Sequence, residues 1–66
     1  MSVAKTAEIT ASSTKSFEDA IRTGIRKMSE SVKNIEGAWV KEQKVVVKKG
    51  EVDEYRVTMK VTFIVK

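Results

Sequence analysis

The chain predicts an α+β domain in β-α-β-β order, a three-stranded antiparallel sheet laid across one helix. Three observations carry this. Residues 3 to 11 alternate apolar and polar side chains, the period of a strand. Phe17, Ile21, Gly24, Ile25, Met28 and Val32 recur at spacings of three and four, the stripe of an amphipathic helix. Residues 38 to 47 and 52 to 65 flank Lys48-Lys49-Gly50-Glu51, where glycine supplies the positive φ that a hairpin turn commonly needs.

In the first strand Val3, Ala7, Ile9 and Ala11 share one parity and Ala4, Thr6, Glu8 and Thr10 the other. Lys5 is the polar exception on the apolar side, tolerable near a strand end because its ammonium can snorkel outward. The cluster Ser12-Ser13-Thr14-Lys15-Ser16 breaks the pattern, and either Ser13 or Ser16 can cap a helix N-terminus. Glu18 and Asp19 then fall in the first helical turn and Lys33 near the last, the signs that the helix dipole favours. Gly24 costs about 1 kcal/mol relative to alanine in a helix interior, which argues for a close crossing over the sheet. The helix is read as scaffold.

The last strand alternates most cleanly. Tyr55, Val57, Met59, Val61, Phe63 and Val65 face one way, and this face must cover the helix. Arg56, Thr58, Lys60, Thr62, Ile64 and Lys66 face the other. The middle strand is ambiguous, because Ala38 and Val40 alternate with Trp39, Lys41 and Gln43. Turning Trp39 inward would take Lys41 and Gln43 with it unless a bulge intervenes, and burying an unpaired ammonium is costly. The register with Ala38 and Val40 inside is therefore favoured. It puts Trp39 on the open face beside Gly37 and opposite the polar side of the last strand.

Sixty-six residues make one domain, spanning 1–66, and a chain this short buries only about 60% of the surface its unfolded form exposes. With no Cys and no His, disulfides and the usual zinc chemistry are both unavailable. Association is the remaining route to stability. The net charge is +4, but the 13 Lys and Arg are scattered among nine acids. No like-charge block exceeds Lys48-Lys49, the pattern of a solvated surface and not of a nucleic-acid interface. The first eleven residues are interrupted by Lys5 and Glu8, unlike a signal peptide. No stretch approaches the ~20 apolar residues of a membrane span, and a cytoplasmic location is expected. Catalysis is not expected, for want of His, Cys or a serine in a nucleophile setting.

Several segments resemble the dodecins, small flavin-binding proteins that assemble as hollow homododecamers. Ser12 to Ala20 is similar to the family's helix-start pattern of threonine-serine, two variable residues, serine and an aromatic. Tyr55 to Phe63 is similar to its last-strand motif, and Val32 to Ile35 fits the helix exit. The resemblance runs from about residue 3 to the C-terminus. It implies a homododecamer and a site in which a tryptophan at the start of the middle strand stacks on the isoalloxazine. A glutamine in the last strand then bonds the ring edge. Carried over by position, the stacking residue is Gly37 and the glutamine is Arg56. Glycine offers no stacking, and arginine has five donors but no acceptor for a flavin imide.

The leading expectation is a dodecin-like assembly in which ordinary binding of FMN or riboflavin is lost or altered, its pocket filled by Trp39 and Arg56 as an inter-subunit contact. A second is that Trp39 and Arg56 hold a flavin or another flat, anionic ligand. A third is cation binding by Glu51, Asp53 and Glu54 near the hairpin turn, since hard cations want several oxygens.

Overall fold

β3 (Glu51–Val65) is the middle strand of the sheet, flanked by β1 (Val3–Ser13) on one side and β2 (Ile35–Lys48) on the other, both antiparallel to it. The helix α1 (Phe17–Met28) connects β1 to β2. This computed structural model describes residues 3–66. The β-α-β-β order and the three-stranded antiparallel sheet match the fold class predicted from the alternation. The strand with the longest unbroken alternation takes the central position, where both of its edges are paired.

Val57, Met59 and Val61 of β3 and Ala20 of α1 are fully buried, and Ile9, Phe17, Ile25 and Val40 pack around them. The odd face of β3 is thus the one the helix covers. A Cβ on Gly24 would lie 2.9 Å from the Ala11 Cβ and 3.1 Å from the Met59 Cε. That spacing is the close crossing expected of a mid-helix glycine. At the start of the helix the Phe17 ring meets Tyr55 edge to face, with centroids 5.1 Å apart, the geometry aromatic quadrupoles favour.

Both candidate capping serines are used. Ser16 is the N-cap, its hydroxyl accepting from the Asp19 N–H at 2.9 Å. The buried Ser13 hydroxyl accepts from the Lys15 N–H at 2.9 Å and donates to Asp19 Oδ2 at 2.6 Å. It ties the end of β1 to the first turn of α1.

The helix stops earlier than its stripe suggests. Met28 is its last residue, so Val32 and Lys33 lie outside it, and the cations of the last turn are Arg26 and Lys27. The Ser29 hydroxyl donates to the Arg26 carbonyl at 2.7 Å and its N–H to the Ile25 carbonyl. Serine competes in this way with continued helix. Asn34, at φ 64, then turns the chain into β2.

All three strands are longer than the alternation alone indicated. β1 runs on to Ser13, β2 begins at Ile35, and the two arms of the hairpin close on the pair Lys48 and Glu51. The two-residue loop has Lys49 at φ 53 and Gly50 at φ 77, both in the left-handed region as a type I′ turn requires. Asparagine tolerates that region better than lysine. Lys49→Asn is therefore expected to stabilise the protein by about 0.5 kcal/mol, read as a higher urea midpoint; a lower midpoint would contradict this account of the turn.

The 12-residue helix is only about 18 Å long, whereas the molecule extends 52 Å. It rests on β1 and β3. The far end of the hairpin therefore leaves Val45, Val47 and Val52 exposed.

Candidate functional site

The face of the sheet opposite the helix is uncovered, and its side chains form rows set by the strand register. Thr6, Thr62 and Gly37 make one row; Glu8, Lys60 and Trp39 the next; Thr10, Thr58 and Glu42 a third; and Ser12, Arg56 and Lys44 a fourth. Trp39 lies on this face because its neighbours Ala38 and Val40 pair with Val61 and Met59 of the core. It is 64% exposed. The outward register is therefore the one the chain adopts.

Two irregularities bracket this part of β2. The register shifts between Ile35 and Gly37 and again between Val40 and Glu42, which leaves Glu36 and Lys41 as extra residues. Bulges of this kind twist a strand and re-aim its side chains. The second does so here: the Lys41 ammonium reaches across the sheet to Glu8, with Nζ to Oε1 at 3.3 Å. Glu8 is the residue directly opposite Lys60. With that carboxylate engaged by Lys41, the Lys60 ammonium sits instead over the Trp39 ring, 5.7 Å from its centroid. This is within the range of a cation–π contact.

Gly37 lies on the same face as Trp39, roughly 6–7 Å further along the strand. A Cβ built there would meet nothing within 4 Å. The position is open floor. Arg56 shares the face but is four residues from Lys60 along β3, about 13 Å. Its Nε bonds Glu54 Oε1 at 3.2 Å. Within one subunit, then, Gly37, Trp39 and Lys60 come together and Arg56 stands apart from them.

Near the hairpin turn each acid is set against a cation. Asp53 pairs with Lys48 at 3.6 Å, Glu54 holds Arg56, and Glu51 faces Lys48 in register. Among the described residues no three such side chains converge as metal ligands would. A groove of about 450 Å³ lies beside Gly24, between α1 and β1, on the other side of the sheet from Trp39.

Lys60, Lys41 and Glu8 were not singled out by sequence reasoning. A signal for Lys60 was present: counted outward from a two-residue turn, the hairpin brings residue 60 opposite residue 39. Nothing in the sequence marked the bulge that aims Lys41 at Glu8.

The family model described as Dodecin matches residues 3–66. No curated protein sequence matches the chain. Among solved structures, the chain is similar to dodecin from Streptomyces davaonensis, with 28% identity over 98% of this chain and 96% of that one and a TM-score of 0.94. It is also similar to the calcium-chelating immunodominant antigen calcium dodecin of Mycobacterium tuberculosis, described with a novel calcium-binding site. There the identity is 31% over 97% of this chain and 91% of that one, with a TM-score of 0.84. An arginine-to-alanine mutant of T. thermophilus dodecin is 24% identical over 100% of this chain and 98% of that one, at a TM-score of 0.95; at that identity the likeness speaks for the fold alone. Among the described residues no helix is long and apolar enough to cross a membrane.

Proposed function

The chain belongs to the dodecin family, and from that premise we propose that it is a self-assembling, non-enzymatic binding protein whose ordinary flavin site has been altered. The observation that carries this is the open floor at Gly37, with the exposed indole of Trp39 one pleat away under Lys60. A stacked aromatic pair contributes roughly 0.5–1.5 kcal/mol beyond buried area. At the position where the family resemblance expects that ring, this chain has no side chain at all. At the position of the ring-edge amide it has Arg56, a fork of donors already bonded to Glu54 and without an acceptor to offer. These residues do not fit the ordinary isoalloxazine contacts. FMN or riboflavin would have to bind here through Trp39 and in another pose.

Assembly into a homododecamer is supported by the apolar surface left bare on the helix side of the hairpin, at Val45, Val47 and Val52. Exposed apolar patches on a small chain without disulfides mark surfaces that associate. Twelve copies of the 7.4 kDa chain are expected to sediment as one species at that multiple of the monomer mass. A monomer or dimer in analytical ultracentrifugation contradicts the shell. For the site, riboflavin and FMN are titrated while flavin fluorescence is followed. Weak or absent quenching is expected, and micromolar or tighter binding of riboflavin overturns the altered-site reading.

A further inference from the structure

We infer that the Trp39 surface takes a planar aromatic anion and that Lys60 is the residue selecting for the charge. The inference rests on the reading that the family's ligand face persists here in altered form. It begins from one unbalanced row. Across the open face Glu8, Lys60 and Trp39 lie side by side, and in a regular ladder Glu8 would neutralise Lys60, since opposite charges directly across an antiparallel pair attract. The bulge at Lys41 removes that partner by sending a second ammonium to Glu8 at 3.3 Å. Among the described residues no carboxylate comes within ion-pair distance of Lys60. Its ammonium rests 5.7 Å from the Trp39 centroid.

A flat ring approaching this indole therefore meets a cation without a counter-ion. A neutral ring on that side must push the ammonium off the indole and gains nothing from it. An anionic ring keeps the ammonium at its edge as a charge-assisted donor, a stronger contact than a neutral hydrogen bond. Gly37 leaves the neighbouring floor clear for the rest of the ring. Of the other cations on this face, Arg56 and Lys44 lie two rows away, about 13 Å from Lys60, with Arg56 held by Glu54, and Lys41 is held by Glu8, so the charge preference belongs to Lys60.

The test is a calorimetric titration of the full chain, in its native oligomeric state, with 2-naphthoate and 2-naphthamide, one ring with and without a negative charge. Naphthoate is expected to bind roughly five- to tenfold more tightly. That ratio should fall to near one in Lys60→Met and in Lys60→Gln, and should be retained in Lys60→Arg. Added salt should weaken naphthoate binding alone. Sedimentation of the same samples establishes that each variant is assembled as the native chain is. Equal affinities for the two probes, a preference that survives both neutral substitutions, or no heat from either probe overturns the inference. Tight riboflavin binding overturns the altered-site reading instead, so the two failures are separable.

Discussion

Met59→Ala is expected to lower the free energy of unfolding by about 2–5 kcal/mol. Met59 is fully buried at the centre of β3, between Ile9 of β1 and Val40 of β2 in the register. Its Cε lies under the helix at the Gly24 crossing, where a Cβ would stand 3.1 Å from it. Truncation removes transfer energy and leaves a cavity that cannot collapse easily, because α1 already crosses β1 closely beside it, with room for no Cβ between Gly24 and the Ala11 side chain. A single small core seldom supplies more than roughly 3–5 kcal/mol, so this one substitution is of the same size as the whole. Met59→Leu, which nearly conserves volume, is expected to change stability by less than about 1.5 kcal/mol. Urea unfolding followed by circular dichroism, at one fixed protein concentration because association adds stability by mass action, compares the three. A loss below about 1 kcal/mol in Met59→Ala would mean that the core lies elsewhere.

The position of Met59 was legible in the sequence because β3 alternates without a break and only one of its faces is apolar. The outward register of Trp39 was legible for a related reason: the alternative would have buried Lys41. What the sequence did not disclose was the route by which that register is kept. Counting outward from the Lys48 and Glu51 pair brings Trp39 opposite Lys60, yet the strands are irregular in between. β3 carries an extra residue at Asp53 and β2 one at Lys41. The two shifts cancel, so the row containing Trp39 is correct while the side chains between the shifts are re-aimed. Bulges leave little trace in a hydropathy pattern, and Lys41 bonding Glu8 is their product.

The end of the helix was misread for a different physical reason. Val32 continues the apolar spacing, and its N–H still bonds the Met28 carbonyl at 2.9 Å, so periodicity alone extends the helix through it. The serines at 29 and 31 decide otherwise by turning their hydroxyls back to helix carbonyls. Lys49 in the left-handed region was equally hidden, since glycine at the next position looked sufficient for the turn. The candidate site shows the same division. Gly37 and Trp39 could be placed on one face by parity, whereas the separation of Arg56 from them, and the release of Lys60 from Glu8, depend on register.

Gly37→Trp is expected to raise riboflavin affinity about tenfold or more over the native chain, the effect of roughly 1.4 kcal/mol from a new stacking surface and its buried area. A Cβ at Gly37 has no neighbour within 4 Å, so the root of the new side chain meets no obstruction in the subunit. Glycine is also a poor strand residue and tryptophan a good one, so the substitution should not weaken β2. The new indole would stand one pleat from Trp39 on the same face, and the double variant Gly37→Trp, Trp39→Ala separates their roles. If Gly37 alone determines ordinary flavin binding, the double variant keeps the gain. If Trp39 occupies the space a flavin needs, affinity rises further when it is removed. Riboflavin fluorescence titrations, with sedimentation to establish equal assembly, measure each step. No gain in either variant would mean that the loss of stacking at Gly37 is not what distinguishes this site, and the cations around Trp39 would then carry the whole difference.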